Sequence, residues 1–275
     1  MSQPTLAPAE GPAAPEPLGP GPGEQQRRPG RFRLDRETVI LLFGLPLLVL
    51  VVLAIWVAWR MTADLDSIEL RQLGWGTVAS LTWQHVELTV VATVIVVAVS
   101  IPLGIALTRP RLKGAAPAVV GIANAGQSAP AIGLVVLLAI WIGFGFWTGV
   151  LAFTLYGILP VLRNTITGLQ GVDPTLVEAG RGMGMSGRAV LLRIELPLAV
   201  PVIMSGVRTA LVLVVGTATF ATFINAGGLG SLITTGITLF RYSVLVSGAV
   251  LVALLALVVE WAGRVLEMLA RPKGL

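Results

Sequence analysis

Long stretches without a single charged residue decide what this chain can fold into. They cover residues 38–59, 88–108, 114–162, 209–240 and 242–259. A helix of about 20 apolar residues crosses the hydrocarbon core of a bilayer. With 55% hydrophobic residues, a water-soluble domain of this length could not bury so much apolar side chain. The sequence therefore predicts an all-α fold, an integral membrane helical bundle.

Glycine-rich segments divide two of these stretches. The stretch 114–162 is too long for one helix, and its Gly-Phe-Gly-Phe-Trp segment at 143–147 is typical of a tight turn at a membrane surface. The stretch 209–240 contains the polar segment 225–230, called here the glycine loop, which should not be a simple helix. Six spans are predicted, at residues 38–60, 86–108, 117–142, 147–166, 198–220 and 243–264.

The composition changes sharply before the first span. Residues 1–36 are rich in proline, glycine and glutamine and end in an arginine cluster, which predicts a disordered cytoplasmic tail. Because no signal-peptide pattern is present, the first span is expected to remain as an anchor. The predicted organisation is this tail, a first span with an outer linker (37–84), a main membrane domain (85–268) and a cytoplasmic tail (269–275).

Basic residues predict the orientation in the membrane. With a cytoplasmic N-terminus, the cytoplasmic segments hold all of the 19 lysine and arginine residues except Arg60, Arg71, Arg208 and Arg241. The positive-inside rule therefore predicts that both termini are cytoplasmic. This topology explains the net charge of +5, and no nucleic-acid partner is expected. Six of the seven tryptophans fall at or near the predicted outer ends of spans, where indole rings are common: Trp56, Trp59, Trp75, Trp83, Trp141 and Trp147.

The sequence offers little catalytic chemistry. It has no cysteine, and its single histidine, His85, is predicted to be an interfacial side chain without a chemical role. The pattern G-x-x-x-x-G-K-[ST], whose backbone amides cradle nucleotide phosphates, is absent from the sequence. The chain is therefore expected to be no enzyme, to bind no metal or other cofactor, and to leave ATP to a partner.

The loop between predicted spans four and five carries strong helix signals. Asp173 before Pro174 favours a helix start, because the carboxylate accepts from free amides and proline at the first helical position loses no hydrogen bond. Gly182 and Gly184 favour a stop or a bend, and Ser186 can cap a second short helix running to about residue 195. The sequence predicts two short cytoplasmic helices joined at a glycine corner.

This loop resembles the EAA loop of ABC importer permeases, whose pattern is Glu-Ala-Ala, three residues, Gly, nine residues, Ile, any residue, Leu-Pro. The matching residues are Glu178, Ala179, Gly180, Gly184, Ile194, Leu196 and Pro197. Every spacing matches, and the one departure is Gly180, where the family usually has alanine; glycine leaves a small residue for close docking. The resemblance implies that residues 171–197, called here the coupling segment, seat in a cleft of an ATPase subunit and transmit its closure to the membrane helices.

The resemblance extends from about residue 85 to the end of the last span. It looks closest to the osmoprotectant branch, the permeases for glycine betaine, carnitine and choline, on the stretches 85–89, 101–104, 127–130, 159–165, 171–174, 182–185, 206–210 and 225–230. It implies a cell-membrane importer with an ABC ATPase dimer, an extracytoplasmic substrate-binding protein, and a second permease that is a copy or a paralogue. Any aromatic cage for a quaternary ammonium is expected in the binding protein.

Polar residues in the predicted spans have two interpretations each. Gln127 and Ser128, near Pro130, line the substrate path or form hydrogen bonds between helices. Asn225 belongs to a re-entrant turn or outer gate, or to a flexible outer loop. Arg208 is assigned a structural role, snorkelling to the inner surface or pairing with the coupling segment.

The predicted function is a permease subunit of an ATP-driven importer for osmoprotectants. One alternative is a permease of the same kind of ATP-driven importer that carries an amino acid or another small polar solute. The other is a stand-alone secondary transporter, which needs an inverted repeat and paired ionisable residues in the spans, where Arg208 is the only such residue identified from the sequence.

Overall fold

The structure is a computed structural model that describes residues 40–270. The predicted tail at 1–36 and residues 271–275 of the second tail lie outside the described residues. Within 40–270 the chain is helical and contains no strand. In chain order the helices are α1 (Leu45–Thr62, after a π turn at Ile40–Gly44), α2 (Ser67–Gln72), α3 (Trp75–Thr108), α4 (Ala116–Ser128), α5 (Ala131–Ile142), α6 (Phe146–Gln170), α7 (Pro174–Gly182), α8 (Gly187–Val190), α9 (Leu196–Thr217), α10 (Gly230–Thr238) and α11 (Tyr242–Ala270).

The long helices confirm a membrane-spanning bundle. Five helical stretches are long and apolar enough to cross a bilayer: Leu42–Thr62, Trp75–Thr108, Phe146–Gln170, Gly187–Ile224 and Tyr242–Ala270. A sixth crossing is present if the bent pair α4–α5 is one span. The second crossing begins at Trp75, well before the predicted residue 86, so the predicted boundary between residues 84 and 85 falls inside α3.

The predicted third span, 117–142, is not one helix. A break at Ala129 and Pro130 separates α4 from α5, and the two helical arms are bent by 97°. Proline has no amide to bond the carbonyl four residues earlier, and its ring pushes the preceding residue out of the helical region. Ala129 accordingly has an extended ψ of 145°. Pro130 therefore precedes a new helix instead of lying inside a continuous span.

Helix α6 lies at the centre of the bundle, between α3 and α9. Small residues let these helices approach closely: a Cβ atom on Gly104 of α3 would lie 2.7 Å from the side chain of Thr165. On the other side, a Cβ on Gly206 of α9 would lie 2.8 Å from the carbonyl oxygen of Pro160. Phe153 is fully buried in the apolar core of the bundle. Membrane helices commonly associate through such small-residue contacts.

Helix α10 folds back against the start of α11. A Cβ atom on Gly236 would lie 2.4 Å from the amide nitrogen of Leu245, and one on Gly248 would lie 2.8 Å from the Cβ of Leu232. The 3₁₀ segment Ala218–Ile224 and the glycine loop connect α9 to α10. The second half of the stretch 209–240 is thus a short packed helix, as the predicted break at the glycine loop requires.

Helix α1 packs mainly against α11, at the periphery of the bundle. Trp56 is buried there, and its indole Nε1 donates to the Ser247 hydroxyl at 2.9 Å. The sequence predicts Trp56 near the end of its span, and the structure adds that its indole is buried against α11. Near the same end of the bundle, Arg241 pairs with Asp66, with 2.9 Å between Nη2 and Oδ2.

Candidate functional site: the coupling segment and the glycine loop

The first helix of the coupling segment forms as predicted. The Asp173 carboxylate accepts from the Thr175 amide at 2.8 Å, and Pro174 occupies the first turn of α7. The helix ends at Gly182, and Gly184 then has a φ of +82°, a conformation in which a side chain would be strained. A capped helix with a fixed turn gives a rigid protrusion at what we call the coupling end of the bundle.

The second predicted helix, from Ser186 to about residue 195, is not a separate helix but the beginning of a membrane-spanning one. Ser186 does cap it, accepting from the Ala189 amide at 3.3 Å. The helix then continues through a π turn at Leu191–Glu195 into α9, as one stretch over Gly187–Ile224. The Leu196 amide bonds the Leu191 carbonyl, five residues back, so the chain passes Pro197 without a break. The coupling segment is therefore continuous with a membrane-spanning helix.

Gly180 is buried between the two halves of the coupling segment. A Cβ atom at this position would lie 2.6 Å from Cδ1 of Ile194, 3.4 Å from the Met185 sulfur and 3.5 Å from Cγ2 of Val190. Because Gly180 has no side chain, α7 can pack closely against the second half of the coupling segment. The expectation that it leaves room for a docking partner is wrong.

The remaining residues of the coupling pattern occupy two environments. Glu178 and Ala179 are exposed on α7, whereas Ile194, Leu196 and Pro197 are half-buried where the segment joins α9. Three apolar side chains are largely exposed beside them: Leu176 (46%), Met183 (75%) and Leu192 (62%). The segment thus presents a mixed apolar and charged surface, as protein interfaces commonly do.

An ion pair ties the coupling segment to α3. Arg109, directly after the last residue of α3, donates from Nη2 to Oε2 of Glu195 at 2.5 Å. The Glu195 side chain is only 10% exposed and the Arg109 side chain 34%. Neither residue was selected from the sequence. The sequence did contain one signal: Glu195 is a single carboxylate in the apolar stretch that begins a span. A carboxylate buried in such a stretch needs a cationic partner.

Gln127 forms a hydrogen bond between helices. Its Nε2 donates to the backbone oxygen of Tyr156 on α6 at 3.1 Å. Pro160, four residues later, lacks the amide that would otherwise bond this carbonyl. The Tyr156 hydroxyl in turn donates to the Ala129 carbonyl at the α4–α5 break. These contacts favour the helix–helix interpretation for Gln127, and a role in the substrate path remains a prediction.

Ser128 and Pro130 lie beside Gln127 at the break and are exposed. The Ser128 hydroxyl donates to the Asn124 carbonyl of its own helix at 2.8 Å. Asn225 belongs to the glycine loop, where it is exposed with a left-handed φ of 55°. The structure thus groups the first three predicted path residues at the broken span and places Asn225 in a different element.

The glycine loop is held by two adjacent side chains of α3. The Gly228 amide donates to Oε1 of Gln84 at 3.1 Å, and the Leu229 amide donates to Nδ1 of His85 at 3.2 Å. Gly227 and Gly228 have φ values of +84° and +94°, and a Cβ on Gly227 would lie 2.2 Å from Oε1 of Gln84. Of the two interpretations, the structure favours a packed turn over a flexible loop.

His85 is fully buried, so its prediction as an interfacial side chain is wrong. Because Nδ1 accepts from the Leu229 amide, the ring proton lies on Nε2, which donates to the Val215 carbonyl at 3.0 Å. The neutral imidazole thus joins α3, α9 and the glycine loop. The prediction failed because the span was placed to begin at residue 86, whereas His85 lies well inside α3.

His85→Ala is expected to destabilise the bundle. It leaves the Leu229 amide and the Val215 carbonyl without their partner, at a cost of roughly 1–3 kcal/mol for each buried group. We expect a clearly lower thermal unfolding temperature of the detergent-solubilised protein. Gln84→Ala is the control: it removes the bond to the Gly228 amide and a long, exposed bond to the Ser80 hydroxyl from a partly exposed side chain, and it should lower the unfolding temperature less. Equal losses in the two variants would contradict the bridging role of His85.

Arg208 pairs with α11 and not with the coupling segment. Its guanidinium lies 3.7 Å from Glu260 and 3.4 Å from Glu267, and Arg264 also binds Glu260 at 2.9 Å. The structural role predicted for Arg208 is supported, but the predicted partner is wrong. Arg208 is also not the only ionisable residue in the spans, since Glu260 lies within α11.

The described residues thus form a multi-pass membrane protein in which the coupling segment is continuous with one of the spans. The family described as binding-protein-dependent transport system inner membrane component matches residues 100–271. The chain belongs to this family. The match includes the whole coupling segment, the glycine loop and the broken span.

Several curated permeases are similar over most of their length. The glycine betaine/carnitine/choline transport system permease protein OpuCB of Bacillus subtilis is 39% identical over 194 residues, covering 70% of this chain and 88% of that protein. The choline transport system permease protein OpuBB of the same species is 36% identical over 208 residues (76% and 95%). The osmoprotectant import permease protein OsmW of Salmonella typhimurium is 39% identical over 205 residues (73% and 94%).

A solved structure shares the fold. The inward-facing MetNI methionine ABC transporter superimposes with a TM-score of 0.64 over 71% of this chain and 96% of that chain, at 22% sequence identity. This likeness confirms the ABC importer permease fold.

Proposed function

We propose that this chain is the membrane permease of an ATP-driven importer for quaternary ammonium osmoprotectants such as glycine betaine, carnitine and choline. The observation that carries this proposal is the 36–40% identity to permeases named for these solutes. The bundle supplies the passage, and the partner subunits supply the energy and most of the affinity for the solute.

In this proposal the coupling segment docks the ATPase. The exposed Glu178 and Ala179, with the apolar side chains around them, form the contact surface. Gly180 and Ile194 keep the segment rigid, while Leu196 and Pro197 join it to α9. Movement of the ATPase then reaches α9 through a continuous helix and α3 through the Arg109–Glu195 pair.

The remaining parts of the proposal concern the assembly. Two ATPase subunits bind ATP, an extracytoplasmic protein delivers the solute, and a second permease, a copy or a paralogue, completes the passage. Both termini and the coupling segment face the cytoplasm of a cell whose plasma membrane holds the bundle. The basic residues of the coupling segment, Arg181 and Arg188 among them, support this orientation.

ATP-dependent uptake of labelled glycine betaine tests the cargo. Proteoliposomes would contain this chain with its ATPase and binding protein, and choline, carnitine and a set of amino acids would serve as competitors. Uptake blocked by quaternary ammonium solutes alone is expected. If betaine is not taken up and an amino acid stimulates the ATPase, the proposed cargo is wrong, but the assignment as an ABC importer permease still holds. ATP-independent uptake driven by an ion gradient would contradict the ABC mechanism itself.

Glu178→Trp is expected to prevent ATPase docking while the membrane fold survives. The position is exposed on α7, so a bulky side chain there blocks a partner without disturbing the core. The change in unfolding free energy should stay within about 0.5 kcal/mol, as for most surface substitutions. Co-purification of the ATPase and uptake would be measured together. Gly184→Trp is less informative, because the positive φ at this position adds backbone strain.

Asp64→Trp is the matched control for this prediction. Asp64 is also an exposed acidic residue, but it lies between α1 and α2, near the opposite end of the bundle. It should keep both ATPase docking and uptake. Normal docking in the Glu178 variant would contradict the assignment of the coupling segment.

A further inference from the structure

A groove of about 470 Å³ lies between α1 and α11. This volume is within the range of roughly 300–1,000 Å³ that is typical of small-molecule sites. Its walls include Ile55, Trp56 and Trp59 from α1 and Tyr242, Val246 and Ser247 from α11. The groove is far in sequence from the coupling segment, and transport through the bundle does not explain it.

The polar side chains in the middle of the groove already have partners within the protein, and two others, Trp59 and Tyr242, lie at one end of it. The Trp56 indole donates to the Ser247 hydroxyl at 2.9 Å, and the Ser243 hydroxyl donates to Oε1 of Glu69 at 2.6 Å. No charged side chain lines the groove. Away from the end formed by Trp59 and Tyr242, an occupant therefore meets an apolar surface whose polar side chains are already hydrogen-bonded, which suits a hydrocarbon chain and not a polar solute.

The groove is continuous with the membrane-facing surface of the bundle. Ile55 and Val246 are 63% and 54% exposed on its two sides. The same surface of α1 continues with further exposed apolar residues, Leu48 and Val51 among them. In a bilayer, hydrocarbon chains surround this face, so a lipid can enter sideways without crossing a polar layer.

One end of the groove lies at the level of a membrane interface. Trp59 and Tyr242 form this end, and amphipathic aromatic rings favour that depth. The adjoining residues, Arg60 and Arg241, lie at the same level, where phosphate groups of a leaflet lie. Arg60 donates from Nε to the Leu73 carbonyl and Arg241 pairs with Asp66, but a guanidinium has five N–H donors, so neither contact uses all of them. A lipid with its chain in the groove would place its phosphate next to these two arginines.

We propose that the groove between α1 and α11 binds one acyl chain of a phospholipid, with the lipid phosphate level with Arg60 and Arg241. The bound chain fills the space that α1 leaves beside α11 and so fixes the position of α1 on the bundle. The proposal requires only that the chain spans a membrane, and it is independent of the cargo.

Photo-crosslinking tests the proposal directly. The full chain, in its complex, is reconstituted with phosphatidylglycerol carrying a diazirine on one acyl chain, irradiated, and mapped by mass spectrometry. Val246→Trp fills the groove from one wall. Leu50→Trp adds the same side chain on the membrane-facing surface outside the groove and is the matched control. Size-exclusion chromatography checks that each variant is folded.

Adducts concentrated at residues 52–59 and 242–250 are expected in the unchanged protein and in Leu50→Trp, with their loss in Val246→Trp. Ile55→Trp, which fills the groove from the other wall, must give the same loss. Adducts spread evenly along α1 and unchanged in Val246→Trp would mean annular lipid only and would overturn the proposal. So would loss of the adducts on adding excess choline, or a photo-reactive amino acid at position 246 joining two permease chains.

Discussion

Gly230→Ala is expected to abolish uptake and to lower the thermal stability of the bundle more than any other glycine-to-alanine change in residues 40–270. A Cβ at this position would lie 1.9 Å from the Thr219 carbonyl oxygen, 2.8 Å from its carbonyl carbon and 3.0 Å from its Cα. All three are backbone atoms of the 3₁₀ segment Ala218–Ile224, so no side chain can turn away. Overpacking of a core typically costs about 1–3 kcal/mol, and the fixed backbone places this variant at or above the upper end.

The consequence reaches beyond α10, because Gly230 directly follows the part of the glycine loop that Gln84 and His85 hold. Moving α10 away from Thr219 would pull Leu229 from His85. Gly216→Ala is the matched control: it lies near the end of α9, is exposed and has no atom within 4 Å of an added Cβ. It should be neutral or stabilising by up to about 1 kcal/mol. Unchanged melting and uptake in Gly230→Ala would show that the loop is not packed as described.

The spans could be predicted from the sequence because a membrane crossing depends on a property of consecutive residues, the length of an apolar stretch. The start of α7 was predictable for a similar reason. Asp173 and Pro174 act on amides within one turn, so no distant residue decides the outcome.

The prolines show where sequence reasoning fails. Pro130 separates two helices bent by 97°, whereas Pro160 lies inside α6 and Pro197 inside a continuous helical stretch. The differences come from neighbours distant in the chain or from local rearrangement. Gln127 bonds the carbonyl near Pro160, and a π turn accommodates Pro197. The residue type predicts that a hydrogen bond is lost, but only the packed structure shows what replaces it.

The buried polar contacts were unpredictable for the same reason. Arg109 and Glu195 are 86 positions apart, and His85 meets Leu229 from 144 positions away. A single sequence contains no information on which charged or polar residues meet across helices. It shows only that a charge in an apolar stretch needs a partner.

Glu195→Ala is expected to remove most ATP-driven uptake while ATPase docking persists. The pair with Arg109 is the ion pair that joins the coupling segment to α3, beside apolar packing of Leu191 and Leu196, and Glu195 lies on the π turn leading into α9. The loss of stability should lie between the ~0.2–1 kcal/mol of exposed pairs and the ~3–5 kcal/mol of broken buried pairs. ATP hydrolysis and uptake, measured in the same proteoliposomes, should separate: hydrolysis continues and transport falls.

A double-mutant cycle distinguishes coupling from simple destabilisation. Arg109→Met combined with Glu195→Met removes both charges, so it should recover much of the stability lost by either single variant. Uptake should remain low in the double variant, because the directional link between α3 and the coupling segment is still missing. Arg111→Met, at an exposed arginine two positions after Arg109 and outside the coupling segment, is the control and should transport normally. If the double variant recovers uptake together with stability, the ion pair only holds the fold, and the force from the ATPase reaches the membrane through α9 alone.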